Sequence, residues 1–255
     1  MSRTIKTILL ITAATAAFIS CRHSYNLVSG EYTNLKVSHE TVLPDSQMIS
    51  IYGPYKSALD AEMNHVIGFS TTEMIKGKPE SKLTNYLADL LLEESRLISA
   101  EAGARFIPDI SFMNYGGIRT GIPKGEIQVR KVFELMPFEN ELVILKLKGS
   151  DLRAFFDLIA SQGGDSMSGA RFVIRNRKAE QITVGGNPLD DKAAYWLATS
   201  DYVADGGDSF AMLKNSLERF PTGEKIRDVM IRHMKRTHAG GHLIDPVTDG
   251  RISDE

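Results

Sequence analysis

The chain of 255 residues has a single cysteine, Cys21, which excludes an internal disulfide framework and any cysteine-rich zinc site. It has no excess of positive charge. Thirty Lys and Arg face 32 Asp and Glu, a balance without the electrostatic footprint of nucleic-acid binding. HExxH, GxSxG, Walker A and GxGxxG signatures are all missing, so the common self-contained hydrolytic and nucleotide-binding sites find no support. The six histidines are scattered, and Gly240-Gly241 between His238 and His242 disfavours a helical ligand pair. Long apolar runs are absent beyond the first twenty residues. With 42% hydrophobic and 24% charged residues, the composition is that of a globular protein and excludes collagen, disorder and a polytopic membrane protein.

The N-terminus has the pattern of an export signal. Arg3 and Lys6 precede an uncharged stretch from Ile8 to Ile19, long enough for a signal and too short for a comfortable membrane span. The closing Phe18-Ile19-Ser20-Cys21 resembles a bacterial lipobox, with Phe18 where Leu is usual. That resemblance implies that Cys21 is lipidated, becomes the mature N-terminus and tethers the chain to the cell envelope, periplasmic or surface-exposed. Removing Arg3 and Lys6 moves the formal net charge from −2 to −4. The expected organisation is a signal over 1–20, a polar tether over 21–46, one domain over 47–239 and a loosely held tail over 240–255, rich in Gly, Asp and Pro.

Helical periodicity places Leu83, Leu87, Leu90 and Leu91 on one stripe behind Ser81 as N-cap. Leu152, Phe155, Phe156 and Ile159 follow Ser150, and Ile226, Val229, Met230 and Met234 follow Thr222 as a candidate cap. A shorter helix is expected over 128–135. Strand character marks 106–113, 141–147, 171–174, 181–184 and 194–199, with turn chemistry at Gly185-Gly186-Asn187-Pro188. Helices and strands interleave without a strict βαβ rhythm, which predicts an α+β domain with a mixed β-sheet flanked by helices.

Three segments carry candidate chemistry. Asn114-Tyr115-Gly116-Gly117-Ile118-Arg119 closes an apolar strand, and its glycines permit close backbone approach to a ligand. Pro137 ends a helix and presents Phe138 on the loop running to Asn140. Asp201-Tyr202-Val203-Ala204-Asp205-Gly206-Gly207-Asp208-Ser209 opens a Gly-rich loop after another strand.

In this order and spacing, with Lys146-Leu147-Lys148-Gly149 between the last two, the motifs resemble the C-terminal, substrate-binding domain of bacterial and animal 5'-nucleotidases over residues 48–235. The resemblance implies the fold of that domain and a purine nucleotide or nucleoside as ligand. It implies that Asn114, Gly117 and Arg119 contact the nucleotide, Phe138 and Tyr202 sandwich the base, and Asp208 binds the ribose hydroxyls. The residue types suit these roles: flat rings for a base, an acceptor-only carboxylate for hydroxyls, a planar cationic fork for phosphate or ribose oxygens.

There are departures from the family pattern. Tyr202 replaces Phe, Thr84 replaces Gly, and Gly77-Lys78-Pro79-Glu80 stands where an arginine cluster is usual. No metal-ligand motif of the family's metallophosphatase domain is present. The expectation is therefore a specificity domain without a cofactor of its own. Catalytic divalent metals are expected in a separately encoded metallophosphatase partner. The alternative is a nucleoside-binding envelope lipoprotein without hydrolytic activity.

Overall fold

The computed structural model describes Gly30, Thr33, Asn34, Ser38 and residues 45–255. The leader, Cys21 and most of the tether lie outside the described residues. The chain divides into residues 1–52 and residues 53–255, and the second unit carries the fold. Among the described residues no helix is long and apolar enough to cross a membrane.

The order of elements is α1 (Ser46–Met63), β1 (Val66–Ser70), α2 (Lys82–Glu101), β2 (Ile110–Met113), β3 (Gly125–Gln128), α3 (Val129–Leu135), β4 (Glu141–Lys148), α4 (Gly149–Ser161), β5 (Ser166–Ser168), β6 (Ala170–Arg175), β7 (Lys178–Val184), β8 (Asn187–Pro188), β9 (Ala194–Ser200), α5 (Asp201–Ala204), β10 (Glu218–Lys225), α6 (Ile226–Ala239) and β11 (Ile252–Asp254). A five-stranded sheet runs β10-β4-β9-β2-β5. Its β2–β9 pair is parallel and the other pairs are antiparallel, the mixed sheet expected from the sequence. A second sheet, β11-β6-β7-β8, and the β1–β3 ribbon complete the α+β fold.

Side chains alternate across β4, so its two faces feed two cores. Val143, Leu145 and Leu147 join Phe112 with Leu152, Phe155, Phe156 and Ile159 of α4. Leu142 and Ile144 face Leu83, Leu87, Leu90 and Leu91 of α2 and Val229, Met230 and Met234 of α6. All three apolar stripes read from the sequence point inward.

The caps divide. Ser81 caps α2 in a capping box with Thr84, whose hydroxyl accepts from the Ser81 backbone N–H at 2.8 Å. Thr222 does not cap α6, which begins at Ile226. It lies in β10, where its hydroxyl donates to the Leu142 carbonyl at 2.7 Å. Likewise the strand expected over 106–113 starts only at Ile110, while Phe106 stacks on Trp196 with ring centroids 3.7 Å apart.

The C-terminal segment is not loose. The Ile244 backbone bonds to Phe69 and Thr71, Asn85 donates to the Val247 carbonyl at 3.1 Å, and β11 pairs parallel to β6. Arg251, 9% exposed, grips Asp89 through two nitrogens at 2.6 and 3.0 Å. Gly, Asp and Pro set the turns of this strap, but Ile244, Arg251 and Ile252 are buried and fix it.

Helices α2 and α6 are joined by a charged cluster. Glu94, fully buried, accepts from Arg236 at 2.5 Å and meets His233 Nδ1 at 3.0 Å, while Arg236 also reaches Glu93 at 2.7 Å. Burial alone would raise the Glu94 carboxyl, but hydrogen bonds from His233 and Arg236 outweigh it and hold the group below its ordinary value. The stabilisation is complete above the unfolded-state pKa and fades as pH falls through the lower folded-state value. Glu94→Gln should cost about 1.5–3 kcal/mol in chemical denaturation at pH 7, the range for hydrogen bonds to a charged group, and less at pH 3.

Candidate functional site

The turn after β2 forms one wall of the site. Gly117 N–H donates to the Asn114 carbonyl at 2.9 Å, and a Cβ at Gly117 would lie 2.9 Å from Asn114 Oδ1. Any larger residue there would have to push the Asn114 side chain aside. The turn leaves the Asn114 amide free to donate to Asp208 Oδ2 at 2.7 Å.

Asp208 comes from the loop after β9 and α5. Its φ of 49° is left-handed, a conformation that a non-glycine residue holds at a cost and that clusters at functional sites. Asp208 Oδ1 accepts from the Tyr202 hydroxyl at 2.9 Å, and this bond raises the Tyr202 pKa. A side chain at Gly207 would collide with the Tyr202 ring, so that glycine is needed for the ring to lie across the loop. Phe210, fully buried, anchors the loop end against Phe112 with centroids 4.9 Å apart. The two loops are thereby tied through the core as well as through the Asn114–Asp208 bond.

Phe138 follows α3 and is 43% exposed, and Tyr202 is 47% exposed. Arg119 bonds through its backbone N–H to the Leu135 carbonyl at 2.9 Å and through Nη1 to the Gly116 carbonyl at 3.2 Å. Its remaining donors are unused by these contacts. Asn114, Gly116, Gly117, Arg119, Phe138, Asn140, Tyr202 and Asp208 line one cavity of about 340 Å³, within the size range of small-molecule sites. All six residues named from the sequence as ligand contacts meet there.

A scan against family models matches residues 66–215 to "5'-nucleotidase, C-terminal domain". The chain belongs to the 5'-nucleotidase C-terminal domain family. This domain is 28% identical over 206 residues to Protein UshA of Yersinia enterocolitica, covering 77% of the chain and 36% of UshA. It is 25% identical over 242 residues to the 5'-nucleotidase of Diplobatis ommata, covering 84% and 41%. Among solved structures it resembles a 5'-nucleotidase precursor from Thermus thermophilus, with TM-score 0.67, 27% identity, and 83% and 44% of the two chains covered. The chain thus spans less than half the length of these relatives.

Several residues of the 5'-nucleotidase-type domain around the cavity went unassigned in the sequence. Asn140 lines the cavity directly, and its place three residues after Pro137 was the available signal. Lys76 donates to the Tyr115 and Ile118 carbonyls at 3.1 and 2.7 Å and lies 4.2 Å from the Tyr115 ring centroid. Burial lowers its pKa, with the Arg119 charge adding to the effect. Lys78, which stands in place of the family arginines, donates to the Gln162 carbonyl at 2.6 Å and is not part of the cavity lining.

Asp165 is buried directly behind the turn. The Met113–Ser166 pairing sets it across from Asn114, and its carboxylate accepts from the Ser166 N–H at 2.7 Å and from the Tyr115 backbone. Burial pushes its carboxyl up to about 7, with the Asp208 charge adding to the shift while the backbone N–H groups and Lys78 oppose it.

Among the described residues one group of three has metal-ligand chemistry: Glu93, Glu94 and His233. Glu94 already accepts from Arg236 and lies 3.5 Å from Arg232, so a divalent cation would have to displace guanidinium charges. The group does not fit a metal site. His233 is consequently a buried residue that joins α2 to α6.

Proposed function

We propose that the cavity binds a purine nucleoside or nucleotide and that the domain is the specificity unit of a 5'-nucleotidase-type phosphohydrolase, acting with a separately encoded metallophosphatase chain. The supporting observation is the convergence of two half-exposed aromatic rings, a carboxylate and an arginine with unused donors on one cavity. Phe138 and Tyr202 offer stacking faces for a base, and Asn140 offers an amide donor and acceptor for its edge. Asp208 spends one bond on Asn114 and one on Tyr202, and a carboxylate with about four lone-pair sites retains acceptors for ribose hydroxyls. Arg119 supplies a cation in the cavity lining, suited to a phosphate or ribose oxygen.

Phe138→Ala and Tyr202→Ala should each weaken adenosine binding about five- to a hundredfold by calorimetry, because a lost stack is worth about 1–3 kcal/mol. The hydrolytic reading is tested by mixing the purified chain with metallophosphatase chains and following phosphate release from AMP. A gain over either chain alone supports it. Binding without any gain favours the nucleoside-capturing alternative.

For location, we propose that acyl chains on Cys21 hold the domain to the bacterial envelope. Wild-type protein should then incorporate labelled palmitate and Cys21→Ser should not. Equal labelling, or none in either, would remove the anchor.

A further inference from the structure

Phe138 sits on a short loop whose far side is gripped by the start of α6. Lys225 Nζ donates to the Glu139 carbonyl at 2.9 Å, the Ile226 N–H donates to the Asn140 carbonyl at 3.0 Å, and Arg227 Nη2 donates to the Glu139 carboxylate. The Arg227 guanidinium also lies over the Phe133 ring, 4.1 Å from its centroid, on α3 just before the loop. Arg227 therefore touches the segments on both sides of Phe138.

This arginine is expensive where it stands. It is 8% exposed, and among the described residues its Nε has no hydrogen-bond partner and its one carboxylate partner, Glu139, is 68% exposed. An apolar side chain of similar length would satisfy the packing without the cost of a buried, incompletely paired charge. What an apolar residue would lose is the directed bond to Glu139.

We propose that Arg227 is a positioning residue for the ligand cavity, acting through Glu139 and Phe133 to hold Phe138 and Asn140 in the ligand-ready arrangement. The proposal rests on the reading of the cavity as a nucleoside site. It adds a determinant that touches no ligand and lies outside the cavity lining.

The test uses adenosine titration of wild type, Arg227→Met, Glu139→Gln, Phe138→Ala and the Arg227→Met/Phe138→Ala double variant. It also uses hydrogen exchange of the ligand-free peptide spanning residues 136–141. Arg227→Met should weaken binding about tenfold and Glu139→Gln about threefold, while Arg227→Met adds less than about twofold once Phe138 is gone, the non-additivity of residues acting through one another. Exchange over 136–141 should rise in Arg227→Met and in Glu139→Gln without ligand. Glu139→Gln keeps the test valid if Arg227→Met folds poorly, because Glu139 is a surface residue. Unchanged exchange in folded variants, or full additivity with Phe138→Ala, overturns the proposal. Failure of wild type to bind adenosine overturns the nucleoside reading instead, and the exchange data still decide whether the clamp exists.

Discussion

Replacing Asp208 with alanine should lower adenosine affinity about a hundredfold. Two hydrogen bonds from ribose hydroxyls to a carboxylate are charge-assisted, and their net loss of about 3 kcal/mol corresponds to two orders of magnitude. The loss is compounded inside the protein. Asp208 accepts from the Asn114 amide and the Tyr202 hydroxyl, so its removal unpairs both and frees the Tyr202 ring to turn. The control is 2',3'-dideoxyadenosine. Wild type should bind it about a hundredfold more weakly than adenosine, and Asp208→Ala should lower that affinity further only by the loss that comes from unpairing Asn114 and Tyr202. An adenosine affinity within about threefold of wild type would show that the carboxylate is internal scaffolding only.

A second large effect concerns stability. Asp165 is 3% exposed and its carboxyl is pushed up to about 7, against an ordinary value near 3.8. In the unfolded chain the group ionises above pH 4, whereas in the fold it keeps its proton until about pH 7. Its contribution to stability is therefore complete below about pH 4, falls as pH rises towards 7, and is constant beyond. The span is about 4 kcal/mol, taking about 1.4 kcal/mol for each pH unit between the unfolded and folded values. Asp165→Asn cannot ionise, so the stability difference between variant and wild type should move by about this amount in the variant's favour between pH 4 and pH 8. Urea denaturation across that range measures it. Parallel pH profiles would mean that the buried carboxyl is not the titrating group.

The site was more legible in the sequence than its supports. Gly116-Gly117 and Gly206-Gly207 advertise strand ends at which backbone turns sharply, and Asn114, Tyr202 and Asp208 lie within a few residues of them. The apolar stripes of α2, α4 and α6 were equally plain, because a 3.6-residue period survives without tertiary knowledge. Strand β10 was not. It is an edge strand with a proline, Pro221, and no residue in it is fully buried, so the two-residue alternation that announces a strand is missing. Ribbon strands β1 and β3 are four to five residues long and equally quiet. Asp165 and Arg227 acquire meaning only from long-range contacts, the β2–β5 pairing and the approach of α6 to the 138–140 loop. The tail misled because its turn residues outnumber the few buried side chains that pin it.

The most direct test of the central claim is a calorimetric titration of adenosine into the purified chain, repeated with Tyr202→Ala. One saturable site per chain, weakened at least about fivefold by the substitution, is the expected result. No saturable binding up to about millimolar adenosine, or the same affinity in both proteins, would contradict the assignment of this cavity to a nucleoside.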